Sequence, residues 1–341
     1  MSSTKKTRVL IVDDSAVFRG VLSAGISSDP EIDVVATAGD PFEARDKIVD
    51  YDPDVMVCDV VMPKMDGIEF IRRLLPQYPL RVVVISSASE AVLDAMNAGA
   101  VDFVAKPDIG RTRDLFLNEL IAKIKIASTA KIPHRELEAA DRKIMTAAPT
   151  FMNIIAIGAS TGGTEALFSV LKSLPPTLPG IVIVQHIPPV FSRMFADRMN
   201  NSTSLHVKEA ENGDLVEKGK VLIAPGDKHM LVRKIGSLLK VELNQGEKVN
   251  GQRPAVDVLF ESVAASCGNR AIGVILTGMG SDGAKGLLAM RKAGAHTIGQ
   301  DETSSVVYGM PKVAFEIGAV EKQVSLGGIP RAISQALSGD R

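Results

Sequence analysis

The sequence predicts an α/β protein made of two parallel-sheet units joined by a linker. Three features lead there: strand-length apolar runs that alternate with helix-like stretches through residues 1–126, a break in that pattern over 127–150, and a second alternating series in 151–341. At 341 residues the chain is also longer than one hydrophobic core usually spans.

In the first unit the strand candidates are RVLIV (Arg8 to Val12), DVVATA (Asp33 to Ala38), DVMVCD (Asp54 to Asp59), RVVVIS (Arg81 to Ser86) and DFVAKP (Asp102 to Pro107). Their apolar residues run almost without alternation, as expected of parallel strands covered on both faces. Ala16 to Ser27, Phe42 to Asp50, Ile68 to Leu75 and Ser89 to Asn97 read as the intervening helices, so five βα units fit in residues 1–126. From Ser128 to Thr150 the chain carries small, charged and proline residues with no sustained apolar face, which is the composition of an interdomain linker. The second unit opens on NIIAIGAS and continues through GIVIVQH, KVLIAPGD and AIGVILTG, a doubly wound, mainly parallel series. One hairpin is expected within HMLVRKIGSLLKVELN, where alternation flanks Ile-Gly-Ser.

Composition narrows the functional classes. Hydrophobic residues at 45% and charged residues at 23% describe a globular protein rather than a disordered one. Lys and Arg (39) nearly balance Asp and Glu (40), which argues against a protein held on nucleic acid by phosphate neutralisation. The balance conceals an asymmetry: residues 1–150 carry 19 basic and 23 acidic side chains, and 151–341 carry 20 and 17. Cys58 and Cys267 lie far apart in apolar runs, so neither a disulfide framework nor a CxxC metal pair is expected. No apolar run reaches the roughly 18 residues of a membrane span, and the N-terminus lacks the pattern of a secretory signal. The expectation is a cytoplasmic protein with no membrane insertion and no nucleic-acid partner.

Ligand groups in parallel α/β sheets gather at the carboxyl ends of the strands. Asp13 and Asp14 end the first strand and Asp59 ends the third. Carboxylates crowded in this way repel unless a hard cation joins them, and an oxygen-only set suits Mg²⁺. Ser86 and Lys106 stand at two further strand ends, the lysine suited as a point charge to a phosphoryl group. Pro107 after it would hold its loop in a fixed turn, with a cis bond one option. Each residue alone fits a helix cap or a surface charge; five at successive strand ends point to one site. Cys58, beside Asp59, alternates to the opposite face and reads as packing.

With VDDS, the CDVVMPKMDG run around Asp59, Ser86, Phe103 and the Lys106-Pro107 pair in this order, residues 7 to about 126 resemble the receiver domain of bacterial two-component response regulators. That resemblance implies a flavodoxin-like five-stranded fold and phosphorylation of Asp59 by a histidine kinase. It further implies Mg²⁺ held by Asp13, Asp14 and Asp59, phosphoryl contacts from Ser86 and Lys106, and an aromatic Phe103 that moves with them.

The second unit begins with a strand, a glycine-rich turn and a helix in NIIAIGASTGGTEALFSVLKSL. A dinucleotide cradle would want Gly at Ser160 and an acidic residue ending the next strand, where Gln185 and His186 stand instead. The α/β-hydrolase elbow fits GxSxG, with Asp282 and His296 in the required order, but needs several strands of the sheet upstream of the nucleophile. A third reading takes the polar groups at successive strand ends, Ser160, His186 and Asp282. Hydroxyl, imidazole and carboxylate are the three groups of acyl-transfer catalysis, defined by geometry and not by chain order. Thr161 and Met279 are the candidate backbone donors to the oxyanion, among glycines that let amides approach a reacting carbonyl. Of the other histidines, His134, His206, His229 and His296, only His229 in APGDKHM has the setting of a substrate-cleft residue.

IGASTGG, QHIP, APGDKHM, GQRPAVDVLF, LTGMGSDGAKG and the VVYGMPKVA segment make residues 152 to about 338 resemble the catalytic domain of chemotaxis protein-glutamate methylesterases. The resemblance implies a phosphorylation-activated serine hydrolase that demethylates glutamate methyl esters on chemoreceptors and deamidates certain receptor glutamines, with no cofactor for the esterase reaction. Its partners would be methyl-accepting receptors and a chemotaxis histidine kinase, and its location the cytoplasm near receptor arrays. Under this expectation the resting receiver covers the crevice near Ser160 and phosphorylation weakens that cover. Two other classes stay open at this point: a DNA-binding regulator, which would need a basic recognition helix after the linker, and an adaptor with a dead hydrolase fold.

Overall fold

The computed structural model describes residues 5–63, 65–87, 89–107, 112–131 and 154–338. The chain divides into two compact units, Met1–Ile132 and Pro133–Arg341.

The first unit alternates strictly: β1 (Thr7–Val12), α1 (Ala16–Ile26), β2 (Ile32–Ala38), α2 (Pro41–Tyr51), β3 (Val55–Asp59), α3 (Gly67–Leu74), β4 (Arg81–Ser86), α4 (Ser89–Asn97), β5 (Asp102–Ala105) and α5 (Arg113–Thr129). Its sheet has the order β2-β1-β3-β4-β5, and all pairs are parallel. The winding reverses at β1, so the crevice at the carboxyl ends of β1 and β3 is the topological switch point. Val9 to Val12, Val55 to Cys58 and Val82 to Ile85 are essentially fully buried, which is why these strands show no polar alternation. Helix starts follow local rules. Asp40 accepts from the Phe42 and Glu43 N–H groups ahead of Pro41, and Asp66 caps α3 through the Glu69 N–H. α5 continues to Thr129, three residues past position 126, and residues 132–153 lie outside the described residues.

The second unit contains β6 (Ile154–Ala159), α6 (Gly163–Lys172), β7 (Gly180–Gln185), α7 (Pro189–Ser202), β8 (His206–Glu209), β9 (Lys220–Ile223), β10 (His229–Ile235), β11 (Leu238–Asn244) and α8 (Val256–Cys267). It ends with β12 (Ala271–Ile275), α9 (Ala284–Lys292), β13 (His296–Gln300), α10 (Met310–Glu316), β14 (Lys322–Val324) and α11 (Ile329–Ser338). Seven strands form one parallel sheet in the order β14-β13-β12-β6-β7-β9-β8. The chain fills one side from β6 outward, then returns to lay β12 against the other side of β6. β6 is therefore the pivot, and the ends of β12, β6 and β7 face one crevice.

The expected hairpin is β10-β11, closed by Gly236 at φ 61° and Ser237. It forms a sheet of its own, whose inner residues Met230, Val232 and Val241 pack in the core with Leu259, Phe260 and Val263 of α8. Burying an aliphatic or aromatic side chain of this kind stabilises by about 1.5–3 kcal/mol. The hairpin also holds α8 through polar contacts: the Val232 N–H donates to Ser262 Oγ, and Ser266 Oγ donates to the Val232 carbonyl. Among the described residues no helix is long and apolar enough to cross a membrane.

Candidate active site

Ser160 directly follows β6, His186 directly follows β7, and Asp282 stands in the loop between β12 and α9. The sheet order brings the three together: His186 Nδ1 lies 3.1 Å from Ser160 Oγ, and His186 Nε2 lies 2.8 Å from Asp282 Oδ2. The imidazole therefore presents Nδ1 to the hydroxyl and Nε2 to the carboxylate.

Asp282 is almost fully buried, yet it is held as a carboxylate. Oδ2 also accepts from the Val256 N–H at 2.7 Å, and Oδ1 accepts from the Asp257 N–H at 3.1 Å and from Asn250 Nδ2 at 2.9 Å. Val256 and Asp257 open α8, which has no side-chain cap of its own, so Asp282 caps that helix from another element. Burial pushes the carboxyl upward, but the bonds and charge of His186, with the bonds from Val256 and Asn250, outweigh it and leave it below its ordinary value. An ionised Asp282 accepts a hydrogen bond from Nε2–H, which keeps the proton on that nitrogen and leaves Nδ1 as the acceptor for the serine hydroxyl.

Depression of a carboxyl pKa on folding stabilises the native state above the unfolded value, and that stabilisation disappears as pH falls through the folded one. The stability gap between wild type and Asp282→Asn should thus not shrink between neutral pH and about 4, and should narrow in more acid solution. Urea denaturation across that range measures it, and a gap that begins to close near pH 6 would contradict the assignment.

The backbone around Ser160 is tightly determined. Its N–H donates to the Thr277 carbonyl at 3.0 Å, and its carbonyl accepts from the Gly163 N–H at 2.7 Å and from Gln185 Nε2 at 3.0 Å. Gly162 takes φ 75°, and a Cβ at Gly278 would stand 2.4 Å from Met310 Sδ and 2.7 Å from Ser160 Cβ. Thr277 Oγ1 donates to the Thr161 carbonyl at 3.0 Å, tying the serine turn to the β12 loop. Among the described residues the Met279 N–H meets no acceptor, and the Met279 side chain is half exposed.

In the first unit Asp13, Asp14 and Asp59 offer oxygens within 4.8 Å of one another. Asp13 and Asp59 are buried and Asp14 is exposed. Lys106 bridges the two buried carboxylates, its Nζ 2.8 Å from Asp13 Oδ2 and 2.7 Å from Asp59 Oδ2. Burial pushes the Asp59 carboxyl above its ordinary value despite Lys106. Three carboxylates and one ammonium leave a net negative charge that an oxygen-seeking divalent cation matches. Ser86 is buried at the end of β4, its carbonyl accepting from the Lys106 N–H at 2.9 Å. Phe103 is buried on β5, with Lys123 Nζ 4.9 Å from its ring centroid. Gly67 passes so close to the Asp59 carbonyl that a Cβ there would come within 2.1 Å of it, a backbone reason for the glycine of the MDG run.

Residues 155–333 match the family model for CheB methylesterase, and residues 9–115 match that for the response regulator receiver domain. A protein-glutamate methylesterase/protein-glutamine glutaminase 2 from Syntrophomonas wolfei is 58% identical over 339 residues, 98% of either chain. The chain belongs to the CheB methylesterase family. A second member, the protein-glutamate methylesterase/protein-glutamine glutaminase of Syntrophotalea carbinolica, is 51% identical over 99% of either chain. Among solved structures, the Thermotoga maritima CheB methylesterase catalytic domain aligns with TM-score 0.53 at 38% identity, over 54% of this chain and 98% of that one. The second unit of the chain thus has the fold of the CheB catalytic domain.

The structure decides several points the sequence left open. The Lys106–Pro107 bond is trans; among the described residues the one cis peptide is Arg253–Pro254. His229 is buried rather than lining a cleft: its Nε2 donates to the Glu247 carbonyl at 2.9 Å, and its Nδ1 accepts from the Ala255 N–H at 3.2 Å. It braces the start of α8. His296 begins β13, at the end of the sheet away from Ser160, and pairs with Glu321. That placement removes the α/β-hydrolase ordering. His134 lies outside the described residues. Asn250 and Asp257 were not anticipated; the Asn-Gly pair at 250–251 signals a turn, but nothing local ties that turn to Asp282.

Proposed function

We propose that this protein is a phosphorylation-activated serine hydrolase that removes methyl groups from glutamate γ-methyl esters of chemoreceptors, releasing methanol. The observation that carries the reading is the hydrogen-bonded chain from Ser160 Oγ through His186 to Asp282, in a chain whose relatives bear the name protein-glutamate methylesterase/protein-glutamine glutaminase. Functionally, residues 1 to about 129 act as the switch and 151–341 as the catalyst, with the linker between them.

In the reaction Ser160 Oγ attacks the γ-ester carbonyl carbon while His186 Nδ1 takes its proton, and the oxyanion accepts from the backbone N–H groups of Thr161 and Met279. Asp282 keeps the remaining proton on Nε2 and offsets the imidazolium charge. As the tetrahedral intermediate collapses, Nδ1 returns the proton to the leaving methoxide and methanol departs. Water, activated by the same nitrogen, then attacks the acyl-serine, and collapse regenerates Ser160 and a free glutamate. A γ-amide passes through the same tetrahedral state with ammonia as leaving group, which accounts for a glutaminase activity.

In the switch, Asp59 is the phosphoryl acceptor, Lys106 and Ser86 meet the incoming phosphoryl oxygens, and Phe103 follows their movement. Asp13, Asp14 and Asp59 fit Mg²⁺; the cation would supply charge neutralisation between carboxylate and phosphoryl oxygens. The phosphodonor is a chemotaxis histidine kinase and the site of action is the cytoplasm beside receptor arrays.

A methanol-release assay on methylated receptor membranes, with and without a phosphodonor, tests reaction, substrate and control together. Phosphodonor-stimulated release of methanol supports the reading; absence of release under both conditions refutes it.

A further inference from the structure

Asn250 and Gly251 are the two central residues of a tight turn. The Val249 and Gln252 backbones exchange hydrogen bonds of 3.1 and 2.9 Å across it, and both central residues have positive φ, 53° and 75°. Asn-Gly is the pair such a turn prefers, so the backbone alone would account for the asparagine. Its side chain has a second occupation. Nδ2 donates to Asp282 Oδ1 at 2.9 Å and to Asp257 Oδ2 at 2.8 Å, so one amide group bridges two buried carboxylates. Asp257 is fixed in turn by the Gly286 N–H, which donates to its Oδ1 at 2.7 Å. The two oxygens of Asp282 thereby acquire different duties. Oδ1 is taken up by Asn250 and the Asp257 N–H, while Oδ2 faces His186 and the Val256 N–H.

We infer that Asn250, anchored by Asp257, is a positioning residue for the hydrolase reaction: it fixes the rotation of the Asp282 carboxylate so that Oδ2 holds the Nε2 proton of His186 and Nδ1 stays aimed at Ser160. This rests on the reading of Ser160, His186 and Asp282 as the catalytic groups. Without the amide, two buried carboxylates would face each other with no side-chain donor between them. Asp282 could then rotate, and the imidazole would lose its fixed orientation. Asn250 acts through Asp282, so its loss should lower kcat and leave KM unchanged.

The test is Asn250→Gly in the full-length protein, assayed by methanol release from a methylated chemoreceptor. Glycine accepts the positive φ, so the turn survives and only the amide is lost. The expected result is a roughly 10- to 100-fold fall in kcat with KM within about twofold, in the range found when partners that orient reacting ligands are removed. In an Asp282→Asn background the same substitution should change kcat by less than about twofold, because no carboxylate remains to be oriented. Wild-type kcat in the single variant, or an equal proportional loss in both backgrounds, overturns the inference. Ser160→Ala runs alongside as a control: if it retains turnover, the functional reading fails, whereas an inactive Ser160→Ala beside a fully active Asn250→Gly refutes the positioning role alone. Thermal unfolding separates a general loss of stability, since lower stability with unchanged kcat also counts against it.

Discussion

Ser160→Ala is expected to abolish methanol release from methylated receptor, lowering kcat on the order of 10⁶-fold, as removal of the nucleophile does in other serine hydrolases. The size follows from the geometry. Ser160 Oγ is the atom within hydrogen-bond reach of His186 Nδ1, and no other hydroxyl is recorded there among the described residues. A factor of that size is about 8 kcal/mol of transition-state stabilisation. Because the hydroxyl, imidazole and carboxylate act as a unit, Ser160→Ala combined with His186→Ala should be scarcely slower than either alone. Residual turnover within about 100-fold of wild type, far above what such a loss leaves, would refute the nucleophile assignment. Independent, multiplying losses would refute the hydrogen-bonded chain as the reacting unit.

Asp59→Asn is expected to remove phosphodonor stimulation completely while leaving the unstimulated esterase within about twofold of wild type, the range of a substitution that shares no partner with the reacting groups. The amide is no nucleophile for phosphorus and cannot form the acyl phosphate. It also removes one of the three carboxylates that converge within 4.8 Å, so chelation of divalent cations should suppress stimulation in wild type as well. Basal turnover should persist because Ser160, His186 and Asp282 belong to the other compact unit. The measurement is incorporation of label from acetyl phosphate alongside methanol release. Wild-type labelling of Asp59→Asn, or full stimulation without labelling, would remove Asp59 from the switch.

Much of this protein was legible along the chain. Strands buried on both faces must be apolar throughout, so β1, β3, β4, β6 and β7 could be placed almost to the residue, and with them the strand-end positions of Asp13, Asp59, Ser86, Ser160 and His186. Turn chemistry likewise announced the β10-β11 hairpin. The outer strands of the second sheet were harder. β8 and β14 are short and partly exposed, and β13 carries a Thr and a Gly, so their apolar signal is weak.

What the sequence by itself determined was the fold class, the two-unit plan and the chemical groups at the strand ends, because each depends on local periodicity and residue type. The tertiary structure decided how those groups meet. It laid β12 beside β6, carrying Asp282 to an imidazole 96 positions away. It turned Nδ1 of that imidazole toward the serine and Nε2 toward Asp282, and that bond, with the cap Asp282 gives α8, keeps a buried carboxyl ionised. It also made His229 a brace and brought Asn250 to Asp282. These outcomes depend on contacts between elements distant in the chain. The free energy of such a contact is set by burial and by which donors and acceptors are left unpaired, and those exist only once the elements have packed.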